Sequence, residues 1–235
     1  MSNIRLFFNE SLYINLKSKL DKTQSHYIHK VMRIKEGQNF SLFNQSGEFE
    51  AKVENIIRGI VEFSVEKKLR SVDNPTEIWL AFTPIKLNYL NLMIQKATEL
   101  GVTRFIPLLT DRTVVRKINE KRIKKIIVEA SEQSNRLNLP TLDKLKNLEE
   151  FLNENIDIKI HFGDLNSKNK KIDIKRDKPL CILIGPEGDF SIKEREIISK
   201  MKNIIPINVN KNILRSETAA ISMISIISYT LLSLS

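Results

Sequence analysis

The stretch Leu180–Glu194, Leu-Cys-Ile-Leu-Ile-Gly-Pro-Glu-Gly-Asp-Phe-Ser-Ile-Lys-Glu, constrains this chain more than any other. Its first five residues, Leu180 to Ile184, form an unbroken apolar run, as a strand covered on both faces requires. The run stops at Gly185-Pro186-Glu187-Gly188, which extends neither a strand nor a helix. Ser191, with Glu194 three residues on, has the spacing of a capping box, and a helix is expected from there to about Lys202. A buried strand ending in a glycine loop at a helix N-terminus is a place where a small ligand meets backbone. Glycines let that backbone come close. A plain strand-to-helix turn has the same local signature, so the loop alone leaves both readings open. It is not a P-loop, because no Gly-Lys-Ser/Thr follows, and the G-x-G-x-x-G spacing is missing.

Burying such a strand takes a sizeable core, and 235 residues allow one large domain or two small ones. The composition, 41% hydrophobic and 28% charged, is that of a soluble globular protein. A formal net charge of +10 points to a polyanionic partner, most simply nucleic acid. Residues 1–72 hold 12 Lys and Arg against 8 Asp and Glu, and the other 163 residues hold 26 against 20. A surface spanning both basic parts could follow a phosphate backbone. Generic solubility accounts for the same charge. The single cysteine, Cys181, lies inside the apolar strand, which excludes an internal disulfide and fits a reducing, cytoplasmic location. It reads as a small core residue, not a nucleophile. Three histidines and one cysteine give no zinc spacing, so no metal is expected. Asn9 and Glu10 interrupt any apolar core of a signal peptide.

Thr218–Ser235 is uncharged and resembles a membrane anchor in length, but seven of its 18 residues are Ser or Thr. Ser222, Ser225 and Ser228 recur every three residues, which suits helix packing inside a protein or a dimer better than lipid. No membrane contact is expected.

The rest of the chain falls into two patterns. Ile4–Phe8 reads as a strand and Asp21–Ile34 as a helix or helix-turn. Asn39–Phe43, Phe49–Glu54 and Ile56–Lys67 alternate as short strands, with turn signals at Ser46-Gly47 and Arg58-Gly59. Short antiparallel strands in about 70 residues suggest a small β-barrel. A polar stretch, Arg70–Pro75, sets the boundary, giving domains 1–72 and 73–235. Strands then alternate with helices: Ile78–Phe82, helix Leu87–Leu100 stopped by Gly101, Arg104–Leu109, helix Asn119–Arg136, helix Leu145–Asn153 and Ile156–Phe162. A charged loop, Lys168–Lys178, precedes the Leu180 strand and its helix. Ile204–Val209 and the final helix complete the set. Such alternation argues an α/β fold with a parallel sheet.

Four motifs, in order, carry a resemblance: Gln95-Lys-Ala-Thr-Glu-Leu-Gly101, Glu129-Ala-Ser-Glu-Gln-Ser-Asn-Arg136 with Pro140, Gly185-Pro-Glu-Gly-Asp-Phe-Ser191 and Ile213-Leu-Arg-Ser-Glu-Thr-Ala219. Together they resemble the RsmE family of 16S ribosomal RNA uridine-N3 methyltransferases, of the SPOUT class with a C-terminal trefoil knot. His26-Tyr-Ile-His-Lys-Val-Met-Arg33, with Gly37 and Leu42-Phe43, is similar to that family's PUA-like RNA-binding domain. The implied fold is a SPOUT-type parallel sheet with the knot, preceded by a small PUA-like β-barrel. Two departures stand out. The family has two glycines after Pro-Glu, where this chain has Gly188-Asp189, and Leu-Gly before Ile-Leu-Arg, where this chain has Val209-Asn210. Asn adopts the left-handed backbone for which Gly is chosen, so Asn210 is expected to be tolerated.

The resemblance implies S-adenosylmethionine (SAM) as methyl donor, 16S rRNA or the small ribosomal subunit as partner, and a homodimer. Ile184-Gly185 and Ile213-Leu214 could supply the apolar slot and backbone hydrogen bonds that adenine needs. Gly188 and Val209-Asn210 could enclose the ribose and methionine. Glu187 would favour the positive sulfonium. Arg215, also counted with the cofactor residues, is the first choice for stabilising negative charge on the uracil oxygens. Glu217 could orient Arg215, take the imide proton, or simply complement the helix dipole. Lys30, Arg33, Arg112, Arg116, Gln133 and Arg136 are the candidates for RNA contacts, and surface charge is the ordinary reading of each basic one. Two further functions stay open: the same enzyme class on another RNA nucleotide, and a non-catalytic RNA-binding assembly factor without SAM.

Overall fold

The structure, a computed structural model, describes residues 4–72, 76–170, 172, 174 and 178–233. Parts of two expected features, the boundary at 73–75 and the charged loop at 171, 173 and 175–177, lie outside the described residues, as do 234 and 235 of the tail. By packing, the chain divides into Met1–Asn74 with Ser131–Leu139, and Pro75–Ala130 with Pro140–Ser235.

The first unit opens with β1 (Arg5–Phe7), β2 (Lys17–Lys19) and α1 (Lys22–His26), which continues into one π-helical turn over Tyr27–Val31. Asp21 starts α1, its side chain accepting the Gln24 N–H at 2.8 Å. β3 (Asn39–Asn44), β4 (Gly47–Ile57) and β5 (Ile60–Arg70) run antiparallel. With β1 parallel to β3 and β2 antiparallel to β5, the strand order among the described residues is β1-β3-β4-β5-β2. The expected strand Ile56–Lys67 is divided by a turn, because Arg58 and Gly59 both take positive φ, as a two-residue hairpin of type I′ requires. β2 was not expected, since Lys-Ser-Lys carries no apolar alternation. Phe63 meets Phe8 and Phe40 edge-on, with ring centroids 5.4 and 6.0 Å apart, at the centre of this core.

The segment 131–139 packs with this unit through Arg5. Its guanidinium donates to the carbonyls of Ser131, Glu132 and Arg136, at 3.3, 3.0 and 2.9 Å, and to Glu48 at 2.8 Å. Buried Glu48 also accepts from Arg70 Nε at 2.6 Å, so its charge is paired on both oxygens.

The second unit contains β6 (Ile78–Phe82), α2 (Leu87–Glu99), β7 (Arg104–Leu109), the start of α3 (Glu120–Gln133), β8 (Thr141–Leu142), β9 (Lys146–Asn147), α4 (Leu148–Glu154), β10 (Ile160–Gly163), β11 (Leu180–Ile184), α5 (Ile192–Lys200), β12 (Ile204–Ile207) and α6 (Ser216–Ser233). Its strands pair in parallel in the order β12-β10-β11-β6-β7-β8, with β9 also on β7. β11 is buried along its whole length, as its apolar run requires. Gly101 (φ +103) ends α2: its N–H reaches Thr98 O and the Val102 N–H reaches Ala97 O, a Schellman closure. The expected helix at Leu145 starts only at Leu148, because Lys146–Asn147 pair with β7. β10 starts at Ile160, not Ile156, whose side chain is exposed. Ser228 Oγ, from the small-residue stripe of α6, donates to Leu100 O at 2.6 Å. Among the described residues no helix is long and apolar enough to cross a membrane.

Candidate active site

Parallel order places the carboxyl ends of β10, β11 and β12 side by side, where open α/β sheets take ligands. A cavity of about 280 Å³ lies there. The glycine loop after β11 forms one wall and the chain after β12 the other. Phe162, Ile184, Ile207, Leu214 and Met223 give it an apolar side; Asp164, Glu187, Asp189 and the asparagines 208, 210 and 212 give it a polar one. Of the sequence-derived cofactor set, Ile184, Gly185, Glu187, Val209, Asn210, Ile213 and Leu214 line this cavity; Gly188 and Arg215 are not among its lining residues.

The first wall is packed tightly. A Cβ on Gly185 would stand 2.6 Å from the ring of buried Phe190, so any other residue there would force that ring to move. Asp189 takes φ +62, in the left-handed region, and its Oδ1 steadies the turn by accepting the Phe190 N–H at 2.8 Å. The capping box is formed: Ser191 Oγ accepts the Glu194 N–H at 3.2 Å, and Glu194 accepts the Ser191 N–H at 2.8 Å. The other Glu194 oxygen accepts the Asp111 N–H at 2.8 Å, and Ser191 Oγ donates to Asp111 at 2.6 Å. Arg112 donates to Gly188 O at 2.7 Å.

The second wall is tied down by asparagines. Asn208 Oδ1 accepts the Asn210 N–H at 3.0 Å, and Asn210 Oδ1 accepts the Asn212 N–H at 2.9 Å, two successive Asx turns. The expectation of a left-handed Asn210 is corrected here: positive φ among the described non-glycine residues falls at Asp189 but not at Asn210, whose side chain acts as a turn acceptor. Ser216 Oγ donates to Gly185 O at 3.1 Å and joins the walls.

Arg215 is exposed and donates to Tyr89 Oη at 3.1 Å, its guanidinium carbon 5.4 Å from the Tyr89 ring centre. Glu217, at the start of α6, is buried, with one carboxylate oxygen that has no hydrogen-bond partner among the described residues. Lys30 and Arg33 are exposed, Arg33 with φ +56. Arg116 is exposed, and Gln133 ends α3. Arg136 is half-buried, and burial pulls its guanidinium down to about 10. No group of side chains able to hold a metal occurs among the described residues. Cys181 is fully buried, which pushes its thiol up to about 12, as an inert core residue requires.

Tyr89, Asp164 and Arg195 carry no sequence signal. Tyr89 reads as an ordinary helix residue, and Arg195 as one more charge on a solvated helix face. Burial lowers the Arg195 pKa, but hydrogen bonding to Asp189 and the charges of Asp189 and Asp164 outweigh it, so the net shift is upward.

Residues 72–228 match the family model of an RNA methyltransferase domain, and residues 20–66 that of an RNA methyltransferase PUA domain. The ribosomal RNA small subunit methyltransferase E of Rickettsia conorii is 32% identical over 227 residues, covering 94% of this chain and 93% of that protein. A Legionella pneumophila methyltransferase solved with bound SAM is 27% identical and superposes with a TM-score of 0.86 over 98% of each chain. The ribosomal RNA small subunit methyltransferase E of Neisseria gonorrhoeae, solved with S-adenosyl methionine, shares the fold, with a TM-score of 0.87 at 24% identity over 97% of this chain and 98% of that one.

Proposed function

The chain belongs to the ribosomal RNA small subunit methyltransferase E family of RNA methyltransferases, and from that premise we propose that it uses SAM to methylate N3 of a uridine in 16S ribosomal RNA. The observation that carries this reading is the two-walled cavity, half apolar and half polar, at the carboxyl ends of β10, β11 and β12. The residues present fit the cofactor: Ile184 and Leu214 offer an apolar slot, and the carboxylate of Glu187 favours a cationic ligand. Gly185, Val209, Asn210 and Ile213 complete the enclosure, and Gly188 acts through the fold of its loop. When bound, SAM supplies an electrophilic methyl group.

The imide N3 of uridine is a weak nucleophile until its proton leaves, and the base must be out of any stack to react. Arg215 stabilises the negative charge that develops on the uracil oxygens, held for this by Tyr89. The Glu217 oxygen without a partner among the described residues supports its role as proton acceptor, in preference to an anchor of Arg215, which donates to Tyr89 instead. We assign residues 1–72 to RNA binding and 73–235 to catalysis, with a C-terminal knot, a homodimeric assembly and a cytoplasmic location. Lys30, Arg33, Arg112, Arg116, Gln133 and Arg136 contact the RNA; Arg112 does so while bonded to the glycine loop.

Calorimetry with SAM should give binding heat, and mass analysis of 16S rRNA from a deletion strain should lack one methyl on a uridine. No binding heat and no thermal stabilisation by SAM would favour the non-catalytic reading. Arg215→Ala should retain RNA binding and lose activity about 10²–10³-fold in kcat; full activity in that variant would remove Arg215 from the mechanism.

A further inference from the structure

One cation is fastened across the cavity. Arg195, in the first turns of α5, donates through Nε to Asp189 Oδ2 at 2.8 Å, and a terminal nitrogen lies 2.7 Å from the same oxygen. That terminal nitrogen is also 3.6 Å from Asp164 Oδ1, and the guanidinium carbon stands 5.8 Å from the ring centre of Phe162. Asp164 follows β10, and Asp189 belongs to the glycine loop after β11. Both carboxylates, Phe162 and Arg195 all line the cavity.

Each carboxylate is itself held. Asp164 donates its N–H to Ile207 O at 2.9 Å, and its Oδ1 accepts the Asn166 N–H at 3.1 Å. Asp189 Oδ1 accepts the Phe190 N–H, which leaves Oδ2 for Arg195. A glycine at position 189 would take φ +62 without strain but would offer no side chain to hold the loop. Aspartate accepts the strained backbone and gains an anchor. Without Arg195, the two carboxylates would face the cavity beside Glu187 with no cation between them, and like charges would push the loop away from β10.

We propose that Arg195 is a positioning residue that holds the glycine loop in its cofactor-binding form by bridging Asp189 and Asp164. It sets the affinity for SAM and leaves the methyl-transfer step unchanged. This rests on the reading of the cavity as the SAM site. Its upward-shifted pKa keeps the bridge charged throughout the neutral range.

The test uses the full chain with its rRNA substrate and four variants: Arg195→Ala, Asp189→Ala, the double variant and Arg195→Lys. Loss of charge-assisted hydrogen bonds should raise Kd and KM for SAM about tenfold in Arg195→Ala, with kcat within about twofold of the original. Asp189→Ala should show at least as large a rise, because it also removes the acceptor of the Phe190 N–H and places alanine at φ +62, and the double variant no more than Asp189→Ala alone, because the bridge is already lost. Arg195→Lys should recover part of the affinity, since a lysine reaches one carboxylate but not both. An unchanged KM in Arg195→Ala overturns the proposal. So does a weakened Arg195→Ala beside an Asp189→Ala that binds SAM normally, which would place Arg195 directly on the ligand. If Arg195→Ala does not fold, unchanged SAM affinity in both Asp189→Ala and Arg195→Lys overturns it instead. An original protein that gives no heat with SAM removes the cofactor reading itself, an outcome distinct from variants that bind as well as the original.

Discussion

The two walls of the cavity are built on different plans. The glycine loop is held by side chains from far along the chain: Asp111 reaches Ser191 and Glu194, and Arg112 reaches Gly188, across 76 to 83 residues. The chain after β12 is tied at its start, where Asn208 donates its side-chain amide to Leu165 O and its N–H to Asn169 O, and beyond that it is shaped by its own asparagines through bonds spanning two residues. Long-range ties couple the loop to the segment after β7, so the two move together. Local Asx turns shape a segment without adding ties of their own to distant parts of the fold. One wall is therefore a fixed template, and the other is anchored at Asn208 and shaped locally through Asn210 and Asn212, the two joined at Ser216 and Gly185.

The largest test of this contrast is Glu194→Ala. Its carboxylate serves both the capping box and the Asp111 N–H, so its loss leaves two partly buried donors unpaired. Stability should fall by about 3 kcal/mol, read from the denaturant midpoint, with SAM affinity lost alongside. Asn210→Ala should cost less than about 1 kcal/mol yet weaken SAM binding, a loss of affinity out of proportion to stability. Equal stability losses in the two variants would erase the distinction between the walls. The smallest effect concerns the strand beneath the first wall. The Cys181 thiol is raised from 9.0 to about 12 by burial, with Arg104 opposing. Because the unfolded thiol ionises near its ordinary value and the folded one does not, the stability it contributes is intact below about pH 9 and lost as pH rises toward 12. At pH 8 the native protein should resist thiol-alkylating reagents and react only on unfolding. Rapid alkylation of the native protein would show that β11 opens, and the template would not be fixed.

Much of the second unit was legible because its signals are local. The apolar run Leu180–Ile184, the capping box at Ser191 and Glu194, and Gly101 as the stop of α2 each depend on residues within a turn or two, and each is found. Elements defined by a partner were less legible. Lys17–Lys19 and Thr141–Leu142 are strands only because β5 and β7 offer them edges. The expected helix from Leu145 lost its first turn to the same kind of pairing. In the site, the backbone of both walls could be anticipated from Gly185-Pro-Glu-Gly and Ile213-Leu-Arg. Tyr89, Asp164 and Arg195 could not, since each acts through a neighbour that is distant in sequence or on another element.

The Asn210 expectation shows the same limit in one residue. Its amide serves as an acceptor for the Asn212 N–H, while the left-handed position falls to Asp189. Backbone tolerance is a property of a residue type, but where a turn demands it depends on how the loop meets its surroundings.

By itself, the sequence determined that strands and helices would alternate after about residue 75, that a glycine loop would follow a doubly buried strand, and that basic charge would be spread along the chain. Those properties are written in periodicity and in residue chemistry, which act over a few positions. Only the tertiary structure decided that β11 lies between β10 and β6, that the loops after β11 and β12 face one cavity, that residues 131–139 pack with the first unit, and that Arg195 meets two carboxylates. The physical reason is that such contacts arise from competition among all surfaces that could be buried together, and no local stretch carries the outcome of that competition.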